Sequence, residues 1–403
     1  MKNFLLFVLS FFLCTTKGVA QTDGFAGNYY VEDTRPWTER LKTRIDSVLS
    51  TPLLQTTQLG LMVYDLTADS TVYVYGHRQR LRPASTMKLL TAITALDRLG
   101  ADHQLRTSLY ITGRIAGRTL IGNVICVGGM DPMFDRTDMQ AFVSQLRQLG
   151  IETIQGRIVG DTSFKDADRL GEGWCWDDEN PVLTPLLYDR KDVFVEQFAA
   201  ELRRSGVSVS AQGAAAGQPR STRRLVATRS HSIGEVLVDM LKESDNLYAE
   251  SMFYQLATLT NNKTATAKLA ASQVRQIIQR AGLQPGDYRV ADGSGLSLYN
   301  YVSAELEVAF LRYAWQREAV YIPLYDALPI AGLDGTLKNR MQKGRAIDNV
   351  HAKTGSVSGI SSLAGYCTSS EGHLLAFSII NQGVRQMSDG RDMQDAICEA
   401  MCR

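Results

Sequence analysis

Ser85-Thr86-Met87-Lys88 sets a hydroxyl and an amine three residues apart. On a helix such a pair shares one face, a turn apart, so the amine can reach the hydroxyl. An alcohol attacks a carbonyl at neutral pH only when a base takes its proton, and an adjacent amine is such a base. Further along stand Ser244-Asp245-Asn246 and then Lys353-Thr354-Gly355. Acyl transfer needs a nucleophile, a base, a proton relay, an oxyanion site and a handle on the substrate, and these three segments can supply all of them. Taken singly each is commonplace: Ser-Asp-Asn is a good helix cap, and Lys-Thr-Gly is an ordinary strand end. Their joint occurrence in this order carries the reading.

Ser85 is the candidate nucleophile, at a helix start where free N–H groups and the dipole favour developing negative charge. Lys88 is the candidate base. An ordinary Lys has a pKa near ~10.4, so half-neutrality near pH 7.4 needs a shift of about three units, or ~4 kcal/mol of differential solvation. Burial against Met87 and Leu89 and a second cation, Lys353, are the expected causes. Ser244 is expected to carry a proton between Lys88 and the leaving amine, and Asn246 to orient Lys88 and bond the substrate amide. Lys353 and Thr354 are placed at the anionic end of the substrate. Gly355 is expected to clear the strand edge for it. The backbone N–H groups of Ser85 and Ser356 are the expected oxyanion hole. No step calls for a metal or other cofactor.

These residues need a rigid frame. The spacing predicts a first helix over 36–49, and strands over 61–66 and 71–75 joined by the Thr67–Ser70 turn. A long helix follows from Ser85 to Leu99, introduced by Pro83 and ended by Gly100. It is apolar nearly all round and therefore buried, an unusual place for a Lys. Residues 101–225 change texture, with short strands over 120–127 and 153–159, Gly-rich turns, and a helix over 192–204; residues 206–225 read as a loop or edge strand. Ser232 with Glu235 makes a capping box. Ser244-Asp245-Asn246 interrupts the helical stretch behind it, and a helix over 266–281 follows. Strands are predicted over 350–354, 362–368 and 373–380, and a closing helix over 392–401. The expected fold is α/β (α+β): a five-stranded antiparallel sheet flanked by helices, built from 21–100 and 226–403, with a smaller α+β domain, 101–225, inserted.

The 403 residues carry a formal charge of +1. Residues 1–20 read as a secretory signal peptide, with Lys2, an apolar run from Phe4 to Leu13 too short to span a bilayer, and small residues at Gly18-Val19-Ala20. Cys14 follows residues too bulky for a lipoprotein site. The expected mature protein is exported to the periplasm, soluble or loosely associated with the cell wall or membrane. Losing Lys2 and Lys17 leaves 41 basic against 42 acidic residues, a balance with no electrostatic case for nucleic acid. Five cysteines remain, Cys126, Cys175, Cys367, Cys398 and Cys402, with no zinc-type spacing. Export permits a disulfide, but the odd number leaves at least one thiol free or paired with another molecule. Cys398 and Cys402 read best as small apolar residues on a buried helix face.

The three motifs and several further segments resemble one family, the penicillin-binding proteins of the D-Ala-D-Ala carboxypeptidase/endopeptidase type, the penicillin-binding protein 4 group. The further segments are Gly129-Met130-Asp131-Pro132, Gly160-Asp161-Thr162-Ser163-Phe164, Gly173-Trp174-Cys175-Trp176-Asp177-Asp178, Asp292-Gly293-Ser294-Gly295-Leu296-Ser297 and Gly332-Leu333-Asp334-Gly335-Thr336-Leu337. The resemblance runs over nearly all of the mature chain. It implies a transpeptidase-like domain, an acyl-enzyme at Ser85, acylation by β-lactams, and cleavage of D-Ala-D-Ala stems or cross-links in peptidoglycan. It also suggests Asp161 as a group receiving the amine of a second stem. Two departures stand out. The third domain of longer members has no room between Lys88 and Ser244, and Met130 stands where the family usually has Gly. Two other functions share the motifs. A serine β-lactamase would need an added Glu-and-water device for fast deacylation. A non-catalytic peptidoglycan-binding protein would have lost one of Ser85, Lys88, Ser244 or Lys353.

Overall fold

The computed structural model describes residues 33–177, 180–210 and 223–403. The expected signal peptide, Cys14 and Asp178 lie outside the described residues. The chain begins with α1 (Trp37–Leu49), β1 (Gln58–Asp65), β2 (Ser70–Tyr75) and α2 (Met87–Arg98). Four short strands follow, β3 (Gln104–Ile111), β4 (Arg114–Ala116), β5 (Thr119–Ile121) and β6 (Val124–Val127). Then come α3 (Arg136–Gln148), β7 (Thr153–Gln155), β8 (Ile158–Asp161), α4 (Phe194–Arg204), β9 (Ser208–Val209) and β10 (Arg224–Ser232). The helices α5 (Ile233–Lys242), α6 (Asn246–Leu256), α7 (Ala267–Arg280), α8 (Ala304–Trp315) and α9 (Glu318–Ala327) lead to β11 (His351–Val357), β12 (Ile360–Thr368), β13 (Leu374–Gln382) and α10 (Met387–Cys402).

The main sheet has the order β11-β12-β13-β1-β2 and is antiparallel throughout. The first and last helices meet on one face, where Leu41 and Ile45 of α1 and Ile397 and Met401 of α10 pack with Leu61, Val63, Leu363 and Phe377. Cys367, Cys398 and Cys402 are buried in this layer as free thiols, in keeping with small apolar residues. The other face carries α2 and α8, in a core that also takes in α5, α6, α7 and α9. α2 is buried on every side from Met87 to Leu96, as its apolar circumference predicts.

Residues 101–232 build two further four-stranded sheets, β10-β3-β6-β8 and β4-β5-β7-β9, over a separate apolar cluster that includes Phe134, Phe142, Phe194 and Phe198. Two sequence expectations need correcting. The strands expected over 120–127 and 153–159 are each two strands that change sheets, breaking at Gly122 and Gly156. The two crossings touch there: a Cβ on Gly156 would lie 2.0 Å from Gly122 O, so only glycine allows the approach. In addition, β10 pairs with β3 as far as Ser232, so this block's sheet continues past residue 225. Three helices that the periodicity reading left unassigned, α3, α8 and α9, complete the fold.

Candidate active site

Ser85 lies in a single 3-10 turn, Ala84–Thr86, and the α-helix begins only at Met87. The expected helix from Ser85 therefore starts two residues late. Ala84 has φ +49°, a left-handed backbone that a non-glycine residue adopts only when held there. The tight turn still brings Lys88 Nζ to 2.9 Å from Ser85 Oγ. Lys88 Nζ also lies 2.7 Å from Asn246 Oδ1 and 2.9 Å from Ser294 O. The last two can only accept. A neutral amine has two N–H groups for them and one lone pair, which points the remaining direction at the Ser85 hydroxyl.

Asn246 is the first residue of α6. Asp245 caps that helix, accepting from Tyr248 N at 3.1 Å, and its other oxygen pairs with Arg190. Ser244 takes the sharp corner between α5 and α6 at φ +62°. This is the interruption that the Ser-Asp-Asn triplet predicted, and it turns Ser244 towards the sheet. There Lys353 Nζ donates to Ser244 Oγ at 2.8 Å and to Thr354 O at 2.9 Å. Ser244 thus rests on Lys353, the lysine at the opposite side of the site from its expected partner, Lys88.

Both lysines are fully buried. Burial lowers the Lys88 pKa to about 8, against the pull of Asp292, Glu250 and Asp245, which favour its charged form. Lys353 falls well below the ordinary Lys value, first through burial and second through repulsion from Lys88. The two cations do oppose one another as expected, but the repulsion is felt at Lys353, while burial sets Lys88.

Gly355 has a packing reason to be glycine. A Cβ there would lie 2.1 Å from Ser362 Oγ, 2.7 Å from Pro83 O and 3.0 Å from Ser85 N. Its missing side chain lets β11 lie against the turn that holds Ser85. Ser356 follows it, exposed on the edge strand of the main sheet. Thr354 Oγ1 lies 2.8 Å from Thr336 Oγ1, and the loop holding Thr336 is tied to the end of α5 by Lys242 and Asp334 at 2.5 Å.

Asp161 stands apart. It ends β8, its Oδ1 accepts from Ser163 N at 3.0 Å, and its Oδ2 takes Arg223 at 2.6 Å. Burial raises its pKa, but the bonds from Ser163 and Arg223 outweigh this and lower it. That carboxylate closes a turn and a buried ion pair, so the structure gives no support to a free acid waiting for a second stem.

Four supporting groups lie outside the three short motifs. Asp292 accepts from Trp174 Nε1 at 2.8 Å, Ser297 N at 2.6 Å, Gly295 N at 2.9 Å and Asn300 Nδ2 at 2.6 Å. It thereby fixes the loop whose Ser294 carbonyl meets Lys88. Glu250, one turn after Asn246, accepts from Gly293 N and Ser294 N, and burial with Asp292 nearby raises its pKa to about 8. Glu307 lies behind the nucleophile turn. Glu250 had a sequence signature, a lone carboxylate within an apolar helical run, whereas Glu307 shares its first turn with Glu305. Trp174 and Asp292 lie in segments that carried the family resemblance, but without a role assigned to either.

Met130 has φ +61°. The family's usual Gly at this point suits that backbone, and this chain holds it with a buried Met whose N–H donates to Pro185 O at 2.7 Å.

Among the described residues no helix is long and apolar enough to cross a membrane. The chain is 26% identical to D-alanyl-D-alanine carboxypeptidase DacB of Haemophilus influenzae, over 82% of this chain and 86% of that protein. It is 26% identical to a D-alanyl-D-alanine carboxypeptidase of an Actinomadura species, over 85% and 81%. Its fold matches the crystal structure of penicillin binding protein 4 from Haemophilus influenzae with a TM-score of 0.78, at 23% identity, covering 90% of this chain and 97% of that one; that protein has also been solved with a β-lactam. Residues 41–188 and 186–402 match the model of the D-Ala-D-Ala carboxypeptidase 3 (S13) family, and the chain belongs to that family of serine peptidases.

Proposed function

We propose that this protein hydrolyses D-Ala-D-Ala stem peptides and D-amino-acid cross-links of peptidoglycan through an acyl-enzyme at Ser85, in the periplasm, and that β-lactams acylate the same oxygen. The observation that carries the reading is the setting of Lys88 Nζ, 2.9 Å from Ser85 Oγ, with two acceptor-only partners on its other sides.

In this scheme Lys88 takes the Ser85 proton as Oγ bonds to the carbonyl carbon. The N–H groups of Ser85 and Ser356 receive the oxyanion. Ser244 accepts a bond from Lys353, which leaves its own proton free for the departing nitrogen; Lys353 restores the Ser244 proton across that bond, and the proton Lys88 took from Ser85 passes to Lys353, leaving Lys88 neutral again. The C–N bond breaks, the amine leaves, and water then releases the acyl group with Lys88 as base. Lys353 and Thr354 receive the terminal carboxylate, whose charge compensates Lys353 for burial. The block 101–232 is an insertion that leaves this machinery on the two flanking segments.

Digestion of purified muropeptides with mass readout tests the substrate: loss of one D-Ala or splitting of dimers is expected, and neither would refute it. Intact mass after penicillin exposure tests the nucleophile. The wild type should gain one adduct at Ser85 and Ser85→Ala none; many turnovers of a chromogenic cephalosporin per Ser85 would instead indicate a β-lactamase.

A further inference from the structure

Glu307 takes no part in this scheme, yet it is fully buried against the nucleophile turn. It sits on α8 with its Oε2 accepting from Ser378 Oγ of β13 at 2.7 Å. Its Oε1 lies 2.5 Å from Oγ1 of Thr86, the residue after the nucleophile. Thr86 Oγ1 is also 2.8 Å from Pro83 O and, more distantly, 3.4 Å from Ser362 Oγ, which donates to that same carbonyl at 2.5 Å. A carbonyl can only accept. The two contacts to Pro83 O therefore use the hydroxyl protons of both Thr86 and Ser362. The contact between Thr86 and Glu307 still needs a proton, and with both hydroxyl protons on Pro83 O its source among the described residues is the carboxyl group itself. Ser378 cannot supply it, because its proton lies on the other oxygen.

We propose that Glu307 is held as a neutral carboxylic acid that donates to Thr86 and so positions the turn carrying Ser85. The donated bond leaves Thr86 free to close the turn on Pro83 O, which in turn fixes Ala84 in its left-handed conformation and the Ser85 N–H beside Gly355. The electrostatic setting agrees. Burial raises the Glu307 pKa to about 7, tempered by Ser378 and Thr86, and no neighbouring charge contributes among the described residues. Glu307 touches no reacting atom; it acts through Thr86, and its kinetic role rests on Ser85 being the acylated residue.

Infrared spectroscopy tests the protonation directly and independently of activity. At pH 6 an ordinary Glu is ionised. The difference spectrum of wild type minus Glu307→Gln should show one protonated-carboxyl carbonyl band; its absence overturns the proposal. Acylation by a fluorescent penicillin tests the positioning. Glu307→Gln, whose amide donates to Thr86 and whose carbonyl accepts from Ser378, should acylate within about threefold of wild type. Glu307→Leu, of similar size but without a donor, should slow the covalent step at least tenfold while leaving precovalent binding nearly unchanged. A Leu variant as fast as wild type, or a Gln variant as slow as Leu, overturns the positioning role. If the Leu variant does not fold, the Gln rate and the band decide. If the wild type is not acylated at Ser85, the parent reading fails and the band still judges the neutral acid.

Discussion

The rate of Ser85 acylation should follow the deprotonation of Lys88. The ordinary Lys value of ~10.4 leaves roughly one amine in 2,500 neutral at pH 7, whereas a value of about 8 leaves roughly one in ten, a difference of ~3 kcal/mol. Burial supplies this: the Lys88 side chain is fully enclosed within α2, and the three acids around it oppose the shift without cancelling it. The direction follows from the role. A base works when unprotonated, so activity is lost as pH falls through about 8 and levels off above it. Stopped-flow acylation by a fluorescent penicillin should therefore quicken about tenfold from pH 6 to pH 7, then rise more slowly and flatten by pH 9. Lys88→Arg keeps the charge but cannot give up its proton, so it should be slow at every pH. A flat wild-type profile between pH 6 and pH 8 would refute the neutral-amine mechanism, and so would an active Arg variant.

Gly355→Ala should be damaging, because its Cβ would fall 2.1 Å from Ser362 Oγ and 2.7 Å from Pro83 O. We expect about 1–3 kcal/mol of lost stability in denaturant unfolding and a fall of about 10² in acylation rate as the Ser85 turn is displaced. Trp174→Phe removes one donor from buried Asp292 and should cost about 1.5–3 kcal/mol on unfolding, with acylation slowed as the Ser294 carbonyl loses its support. Glu250→Gln keeps an acceptor for the N–H groups of Gly293 and Ser294 but removes the negative charge that Glu250, its pKa raised to about 8, gains as pH rises through the acylation midpoint and that favours charged Lys88. It should move the midpoint of the acylation profile below that of the wild type, and an unchanged or higher midpoint would show that Glu250 does not act on the base.

The motifs were legible because a short chemical list, hydroxyl, amine and amide at fixed spacings, survives without knowledge of packing. The five-stranded sheet was legible because its strands are apolar and bounded by turns, and α5 because Ser232 and Glu235 form a reciprocal cap. What was missed has physical causes. α3 opens on a capping box whose third residue is Asp138, where Glu or Gln is the familiar signature. α9 contains Pro323 in its interior, which breaks the usual pattern. The sheet changes at Gly122 and Gly156 depend on two distant crossings meeting in space, which no local pattern contains. The same holds for Gly355: its spacing marked it as part of a motif, but only the proximity of Ser362 and Pro83 shows what its missing side chain is for.

Two non-glycine residues with left-handed backbone, Ala84 and Ser244, lie beside the proposed proton transfers. Ala84 precedes Ser85, the proposed nucleophile, and Ser244 is the proposed relay. Each such residue costs on the order of 1–3 kcal/mol and persists only where its surroundings determine it. At Ala84 those surroundings are identifiable: Ser362 and Thr86 on the Pro83 carbonyl, Glu307 behind Thr86, and β11 pressed against the turn through Gly355. At Ser244 they are Lys353 on its hydroxyl and the capped start of α6 behind it. What each does is aim an oxygen at a lysine that burial has made reluctant to hold its proton. The backbone strain and the two buried amines are thus parts of one arrangement, and relaxing either bend should separate a hydroxyl from its lysine before it disturbs the fold.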